Sequence, residues 1–460
     1  MSTGLLQQLA DYGVFHDEEQ GYIDVDDVFV TGNAVPPSDT ALHVAPRRSS
    51  RFGVWVAIAA AALTVLLIGV IPFLVNNDGT QPADTVVATT LAESAPTTVT
   101  ESTPTTLGES VPKPGTWSIV PTAEGGLGEG VIRSVAVGGP GLVAVGSTAY
   151  DHGDPALWTS VDGIAWTQVP LDEEAFGDGG PMSVIAAGPG LVAVGEGVWT
   201  SVDGFDWDRV PDEEGIFEDA GLTSVTVGGP GLVAVGVVAG GEFDNAAVWT
   251  SVDGIVWTRV PHDEATFGER SPGVDLTMSH VTVGGPGLVA VGMDWSGPDA
   301  NAAVWTSVDG LNWTRVPHDE EVFGGSGHQA ISGVTAAGPG LVAVGTTRSP
   351  QQAVVWTSVD GLTWTRVARD ENGSLDGGQM NRVVVADSGL VAVGWIGWIG
   401  GPNSVAAVWT SPNGIVWSRV AHDEEAIGNG LMWDLVNTDR GLMAVGSDGT
   451  NAVVWVGPKT

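Results

Sequence analysis

The chain has 460 residues and carries 55 acidic against 16 basic side chains, a net charge of -39 that repels phosphate backbones and excludes nucleic acid as a partner. It contains no Cys, so neither a disulfide nor a reactive thiol can form. Its 67 Gly and 19 Trp argue against a helical protein, while 43% hydrophobic residues suffice for a sizeable core.

Residues 1–52 are polar and acidic, and the string LLQQLADYG within them can form one or two turns of amphipathic helix. Two interpretations remain open for this tail. It is either a segment that docks a cytoplasmic partner or a disordered leader before a membrane anchor, and its composition favours the leader.

Residues 53–75 form an uncharged run, GVWVAIAAAALTVLLIGVIPFLV. A helix of this length spans roughly 34 Å, enough to cross a hydrocarbon core of about 30 Å. A cleaved signal peptide would begin nearer the start of the chain, so we expect an uncleaved transmembrane helix. Arg47, Arg48 and Arg51 precede it, which predicts a single-pass cell-membrane protein with a cytoplasmic N-terminus and an extracellular remainder.

Residues 76–115 are rich in Thr, Ser, Pro and Ala. Such a composition cannot bury a core, because it offers too little apolar surface. It predicts an extended linker that holds the following domain away from the bilayer.

A repeat occupies the rest of the chain. The string Gly-Leu-Val-Ala-Val-Gly begins at residues 141, 190, 231, 287, 340 and 389 and returns as Gly-Leu-Met-Ala-Val-Gly at 441. The copies start 41 to 56 residues apart, a period typical of propeller blades. Each copy has four short β-rich runs separated by turn signals such as Asp162-Gly163, a pair that favours a tight hairpin. Each copy therefore predicts a four-stranded antiparallel sheet.

The two ends of the repeat region complement each other. The seventh copy ends near Val456 without a last strand, and the missing strand matches Trp117-Ser118-Ile119-Val120 at the opposite end. We therefore predict an all-β fold over residues 116–458: a seven-bladed β-propeller of four-stranded blades, closed by an N-terminal strand. Closure leaves no open sheet edge.

Most tryptophans follow the repeat. They are predicted to form the core between blades, since each ring can bury about 150–250 Å². The 14 tryptophans at the two repeat positions are Trp117, Trp158, Trp166, Trp199, Trp207, Trp249, Trp257, Trp305, Trp313, Trp356, Trp364, Trp409, Trp417 and Trp455.

Six turn motifs, the first being Ser160-Val161-Asp162-Gly163-Ile164-Ala165-Trp166, resemble the Asp-box of the sialidase-type propeller superfamily, here with Asp and Gly adjacent. The resemblance covers residues 116–458 and implies structural hairpins that lie away from the ligand face. A composition rich in Gly and Ala and poor in Lys further indicates a bacterial member, and the apolar run at residues 53–75 indicates a membrane-anchored one. The structural Asp-box positions are Asp162, Asp203, Asp253, Asp309, Asp360 and Asn413.

Sialidases of this superfamily use three convergent arginines, a tyrosine nucleophile and an aspartate acid/base, and this sequence departs from that set. Arg133 and Arg382 begin inner strands and can face the channel, but two arginines are too few, and Tyr150 lies in a variable loop. The other repeated arginines occupy the outermost strand and point away from the axis: Arg209, Arg259, Arg315, Arg366 and Arg419. Sialidase activity is therefore not expected, and no catalytic residue is assigned.

The loops between second and third strands share one face of the propeller with the loops between blades, and there the copies differ most. Aromatic side chains on this face can stack on sugars or anchor a peptide, and loop packing is the alternative explanation. The candidate ligand-binding residues are Trp295, Trp395, Trp398, Trp433, Tyr150 and Asp294.

Acidic clusters such as Asp172-Glu173-Glu174 recur in the loops between blades. Solvated loops with local turn bonds are the favoured explanation, and a site for Ca²⁺ or a basic partner is the other. The spacing matches no dedicated calcium loop, and the histidines show no close metal-ligand spacing. We therefore predict no metal and no cofactor.

Two functions follow from these features. The favoured one is a membrane protein that presents its propeller to an extracellular ligand, a glycan or a basic protein. The alternative is a sialidase-like or other glycoside hydrolase acting on extracellular glycans. Binding is preferred over catalysis because nothing distinguishes a pair of catalytic carboxylates among the many acidic residues.

Overall fold

The computed structural model describes residues 116–121, 126–149, 153–177, 179–212, 214–239, 244–269, 275–369, 372–397 and 404–459. The predicted tail, transmembrane helix and linker (1–52, 53–75 and 76–115) lie outside these ranges and stay predictions. Within the ranges, none of the helices has the length and apolar character needed to cross a bilayer.

The described chain folds into seven four-stranded antiparallel sheets, the blades of the predicted propeller. The short strand β1 (Ser118–Ile119) belongs to blade 7. Blades 1 to 3 contain, from the inside outward, β2 (Val131–Gly138), β3 (Gly141–Ser147), β4 (Pro155–Ser160) and β5 (Trp166–Val169); β6 (Pro181–Ala187), β7 (Gly190–Gly195), β8 (Val198–Ser201) and β9 (Asp208–Arg209); β10 (Ala220–Gly228), β11 (Gly231–Ala239), β12 (Asp244–Ser251) and β13 (Trp257–Arg259).

The remaining blades repeat this order. Blades 4 to 7 contain β14 (Leu276–Gly284), β15 (Gly287–Asp294), β16 (Asn301–Ser307) and β17 (Trp313–Arg315); β18 (Gln329–Ala337), β19 (Gly340–Arg348), β20 (Gln351–Ser358) and β21 (Trp364–Arg366); β22 (Gly378–Ala386), β23 (Gly389–Ile396), β24 (Val405–Ser411) and β25 (Ser418–Arg419); β26 (Leu431–Thr438), β27 (Gly441–Ser447) and β28 (Ala452–Val456). Two one-turn helices, α1 (Glu173–Phe176) and α2 (Glu264–Phe267), lie between blades.

The repeated string Gly-Leu-Val-Ala-Val-Gly forms the second strand of each blade. In β11, for example, Leu232 to Gly236 are all buried, because neighbouring strands pair on both edges and neighbouring blades cover both faces. A strand covered on both faces reads as a continuous apolar run instead of an alternating one. This explains why the string is the most regular part of the sequence.

The ring closes as predicted. In β1, Ser118 pairs with Val456 and Ile119 with Trp455 of β28, so the first strand of the chain completes the blade made by its last three. Val120 extends the pairing by donating its N–H to the carbonyl of Val454 at 2.9 Å. The first and last strands of the described propeller are therefore joined in one sheet.

All 14 repeat tryptophans are buried, which confirms the predicted core. Those in third strands donate their indole N–H to the loop entering the same blade, as Trp249 does to the carbonyl of Ile216 at 2.9 Å. Six of the seven in fourth strands donate to the preceding hairpin, as Trp257 does to the carbonyl of Gly254 at 2.9 Å. In blades 1 to 6, one tryptophan therefore fastens each end of the blade, with its ring in the core and its polar atom satisfied.

The Asp-Gly turns form six equivalent hairpins between third and fourth strands. In blade 3, Asp253 Oδ1 accepts the N–H groups of Ile255 and Val256, both at 2.9 Å, and Ser251 Oγ accepts that of Gly254 at 2.8 Å. The donors at Val256 and Ile255 hold the pKa of Asp253 below its usual value. Gly254 has φ +83°, which favours glycine. The Asp residues of this motif therefore have a structural role.

Candidate functional site

Every inner strand contains one β-bulge near its start, a feature that the sequence analysis missed. The bulge leaves one residue per blade unpaired at the inner edge of the propeller, where the central channel runs. Six of the seven are partly exposed there and Asn381 is buried. The bulged residues of blades 1 to 7 are Arg133, Met182, Thr223, Ser279, Ser332, Asn381 and Trp433.

In four of the seven blades the residue after the bulge connects to the next blade. Ser134 Oγ accepts the N–H of Val184 in the next inner strand at 3.3 Å. The same contact joins Ser224 to Val281, His280 to Val334 and Asp434 to Val135. These contacts are structural, and they hold the neighbouring inner strands in register around the channel.

Four titratable residues occur in the seven inner strands: Arg133, His280, Arg382 and Asp434. Arg382 Nε donates to Asp434 Oδ1 at 2.8 Å, and Asp434 Oδ2 also accepts from Ser134 Oγ at 2.9 Å. Burial, and then the Arg382 cation, lower the pKa of His280 well below its usual range, so the ring is neutral. The inner strands therefore contain two arginines and one carboxylate, within a chain that is strongly acidic overall.

Two of the predicted ligand-binding tryptophans meet at the channel. The Trp395 and Trp433 rings lie 5.1 Å apart at 59°, and the guanidinium carbon of Arg133 lies 5.7 Å from the centre of the Trp433 ring. Trp395 is fully buried, whereas Trp433 is partly exposed. The buried indole Nε1 of Trp433 has no hydrogen-bond partner in the described structure. We call Arg133, Trp395 and Trp433 the channel cluster.

The other predicted residues do not join this cluster. Trp295 packs on His328 at the junction of blades 4 and 5, with ring centres 4.5 Å apart. Its neighbour Asp294 forms an ion pair with Arg315 and accepts the N–H of Ser296 at 2.7 Å. Burial raises the pKa of Asp294, but the bonds from Ser296 and Arg315 outweigh burial and leave the pKa below its usual value. The carboxylate of Asp294 is therefore already engaged by hydrogen bonds and an ion pair within its own blade.

Tyr150 and Trp398, the remaining candidate ligand residues, lie outside the described residues and stay predictions. The outer-strand arginines do not converge, as expected. Arg209, Arg315 and Arg366 each lie 5.6 to 5.9 Å from the tryptophan of the adjacent strand in the same blade.

The acidic loops between blades cap their own turns. Asp212 Oδ1 accepts the N–H of Ile216 at 2.7 Å, and Asp263 Oδ2 accepts that of Thr266 at 3.1 Å. Such bonds agree with the interpretation of these clusters as solvated loops with local turn bonds. Within the described ranges, no three or more His, Asp or Glu side chains are placed to hold a metal ion.

A second feature that the sequence did not reveal is a pair of neighbouring carboxyl groups between blades 3 and 4, in which Asp244 is buried and Asp275 is partly exposed. Asp275 Oδ1 accepts the N–H of Asp244 at 2.8 Å. Burial, and then the charge of Asp275, raise the pKa of Asp244 to about 6. The Oδ2 atom of Asp244 is buried without a hydrogen-bond partner. This carboxyl group can hold a proton near neutral pH.

A cavity of about 340 Å³ lies beside the outer strands of blade 6. Its walls are mostly aliphatic, and Arg419 and His422 are its basic residues. Arg419 Nη1 donates to the carbonyl of Asp376 at 3.2 Å, so part of its guanidinium is used by the fold.

No protein-family model matches the chain, and no curated protein matches it. Among solved structures, the periplasmic gluconolactonase of Pseudomonas aeruginosa is similar at 13% identity and a TM-score of 0.42, over 65% of this chain and 87% of its own. A glycosyl hydrolase from Bacteroides ovatus is similar at 15% identity and a TM-score of 0.31, over 53% of this chain and 84% of its own. Likenesses at this level assign neither a family nor a reaction.

Proposed function

We propose that the chain is a membrane-anchored binding protein of the Asp-box, sialidase-like type, whose propeller holds a carboxylate-bearing glycan outside the cell at the channel cluster. The uncharged run at residues 53–75 supports the anchor. The hairpin bonds of Ser251, Asp253 and Gly254 support the Asp-box relationship.

The observation that carries the proposal is the contact of Arg133 with Trp433. Both residues are placed at the inner edge by a bulge, and the guanidinium lies 5.7 Å from the ring centre. A guanidinium recognises a carboxylate through paired N–H donors, and an indole face stacks on the apolar face of a sugar. The unpartnered Nε1 of Trp433 adds a donor, because a buried N–H without an acceptor is unfavourable until a ligand supplies one.

The charges of the inner strands support an anionic ligand. The only carboxylate of these strands, Asp434, is used by Arg382, Ser134 and Val135. Most of the molecule repels anions, so a carboxylate is attracted at the channel and rejected elsewhere.

The same contacts argue against catalysis at the channel cluster. A glycosidase requires an acid and a second carboxylate flanking the scissile bond. The oxygens of Asp434 already accept from Arg382, Ser134 and Val135, so this carboxylate is held by the fold and is not placed to flank a scissile bond. The cluster binds and orients a ligand without supplying an acid and base.

One observation favours the glycoside hydrolase alternative at a different place. Asp244, with its pKa raised to about 6 beside Asp275, has the protonation that a general acid needs. The side chain of Asp244 is only 2% exposed, so it is not placed to contact a substrate in this arrangement. This makes the pair a second candidate, behind the channel cluster.

The proposal is tested by presenting the purified full-length protein, in detergent, to an array of glycans that pairs each uronate- or sialate-bearing oligosaccharide with its neutral counterpart. We expect the acidic member to be retained and the neutral one not. Titration calorimetry on a hit should show at least tenfold weaker binding for Arg133→Gln and for Trp433→Phe, which keeps the ring but loses the N–H. Equal retention of acidic and neutral glycans would contradict the proposal.

Trp295→Phe is the matched control, because it makes the same exchange at a tryptophan outside the channel cluster. Its affinity should equal that of the wild type. Release of a reducing sugar from a bound glycan, abolished by Asp244→Asn and unaffected by Arg133→Gln, would instead support the hydrolase.

A further inference from the structure

The exposed large hydrophobic side chains of the described chain all lie on one face of the propeller. Thirteen belong to the six hairpins between third and fourth strands: Val161, Ile164, Val202, Phe205, Val252, Ile255, Val256, Val308, Leu311, Val359, Leu362, Ile415 and Val416. Four lie at the adjoining ends of inner strands: Val137, Val227, Val283 and Val385. We call this surface the hairpin face, and it is opposite the loops that carry the candidate ligand residues.

The hairpin face is continuous and rigid. Gly139, in the turn between β2 and β3, packs so tightly on the next blade that a Cβ there would lie 2.8 Å from the carbonyl of Asp203. The same contact recurs between Gly188 and Asp253. Arg440 completes the ring by donating to the carbonyl of Asp162 at 3.1 Å. Neighbouring hairpins are therefore held at a fixed height.

The extent of this apolar surface exceeds what the fold requires. The valines at the hairpin tips are 76 to 79% exposed. All 17 of these exposed side chains share one face, whereas singly scattered exposed hydrophobic residues are the norm on a protein surface. Such a concentration of apolar side chains marks a surface that is covered in the working state.

The chain approaches the propeller on the same face. Trp117 occupies in blade 7 the place that Trp257 occupies in blade 3, directly after a hairpin, because Ile119 pairs with Trp455 as Arg259 pairs with Trp249. Residues 1–115 therefore connect to the propeller at the hairpin face. The 40 residues between the predicted transmembrane helix and Thr116 were expected to hold the propeller away from the bilayer, but a flexible linker of this length equally lets the hairpin face reach it. These two arrangements are alternatives, and the apolar hairpin face favours the second.

We infer that the hairpin face rests on the lipid bilayer in which the chain is anchored, with its aliphatic tips at the headgroup level. The inference depends on the anchor in the proposed function and adds an orientation to it. With this face on the membrane, the channel cluster and the variable loops point into the extracellular medium.

The charges of the hairpin face define the kind of bilayer. Asp203, Asp253 and Asp360 stand at hairpin tips, and backbone N–H groups hold their pKa values below the usual range, so they are ionised. Anionic headgroups repel such a ring, which leaves a neutral lipid surface as the fitting one. A second copy of the chain would bring two rings of carboxylates together, which disfavours that occupant.

The absence of native Cys permits a direct test, since one introduced Cys is labelled alone. The full chain with Val252→Cys, carrying an environment-sensitive fluorophore, is reconstituted into phosphatidylcholine vesicles that contain lipids with a nitroxide at the headgroup. The control places the label at Glu424→Cys on the opposite face. We expect quenching at position 252 to exceed that at 424 about threefold or more, because aliphatic tips enter the interface.

The variant Val202→Ser, Val308→Ser, Val359→Ser should reduce quenching of the label at 252 to the level of the control. These side chains are 77 to 79% exposed, so the fold is expected to remain intact. Its matched control carries Glu321→Ser and Glu425→Ser on the opposite face and should keep full quenching.

Three results would overturn the inference, and they are distinguishable. Loss of the protein from vesicles in an alkaline carbonate wash removes the anchor and the docking together. Retention with equal quenching at 252 and 424 removes the docking alone. Retention with self-quenching between labelled copies at 252, without nitroxide quenching, assigns the face to a second copy of the chain.

Discussion

The two faces of the propeller are made by the same seven blades, but they differ in how the sequence uses them. On the hairpin face, six copies repeat one Ser-x-Asp/Asn-Gly turn with the same hydrogen bonds. On the opposite face, the bulged residues include Arg, Met, Thr, Ser, Asn and Trp. The repeated turn bonds maintain the fold, whereas the positions where the copies differ are free to form a ligand-specific site.

The largest expected effect separates repeated from variable tryptophans. Trp249→Ala should lower the free energy of unfolding by about 3–5 kcal/mol, because it leaves a cavity between blades and an unpaired carbonyl at Ile216. Trp295→Ala, at a variable position with partial exposure, should cost no more than about 1–2 kcal/mol. Urea unfolding followed by tryptophan fluorescence measures both. Equal losses would mean that Trp295 belongs to the core.

A substitution at Asp244, which lies beside Asp275, tests whether the variable face contains residues that destabilise the fold. The folded-state pKa of Asp244, about 6, lies above its unfolded value, so the group lowers stability progressively as pH rises from 4 through 6. Asp244→Asn should therefore raise the free energy of unfolding by about 1–2 kcal/mol at pH 7.5 and by nothing at pH 4. A gain that is the same at both pH values would show that the substitution acts through packing instead of ionisation.

The hairpin face is tested by removing one hydroxyl group. Ser251 Oγ accepts from Gly254 at 2.8 Å and donates to the carbonyl of Val256 at 2.6 Å. Ser251→Ala should lower the free energy of unfolding by about 1–2 kcal/mol in the same urea assay. Ser326→Ala, at an exposed loop position, is the control and should be neutral. A neutral Ser251→Ala would show that the turn is held by Asp253 and Gly254 alone.

The smallest effect concerns His280 and its contact with the next inner strand at the channel. The pKa of His280 in the folded state lies well below its unfolded value of about 6.5, so its contribution is fully present above pH 6.5 and is lost as pH falls below it. His280→Gln should flatten this acid-side decrease, by up to about 1 kcal/mol between pH 6.5 and 5.5. Thermal unfolding across this range measures the slope, and an unchanged slope would place the titration elsewhere.

The fold could be predicted from the sequence because the same pattern of strands and turns occurs in seven copies. The spacing of Gly-Leu-Val-Ala-Val-Gly determined the number of blades, and the unmatched strand at Trp117 indicated how the ring closes. Local signals of this kind depend on neighbours in sequence, and Asp162-Gly163 forms the expected hairpin.

The candidate site could be predicted only in part. Trp395 and Trp433 were recognised as departures from the repeat, but their contact with each other and with Arg133 depends on bulges that no local pattern announces. Arg133 and Trp433 occupy one equivalent position of the repeat, which is the sequence signal that connects them. Asp244 and Asp275 escaped notice because two acidic residues among 55 acquire significance only through burial.

The blade that joins both ends of the chain also affects how the protein folds. Ser118 and Val456 pair across nearly the whole described sequence, so β1 has no partner until the last strand has been synthesised. Contacts this distant in sequence slow folding, since loop-closure entropy is lost before the contact forms. Until β1 and β28 pair, each has an unpaired edge. Blade 7 is therefore the part of the propeller most vulnerable to aggregation before folding is complete.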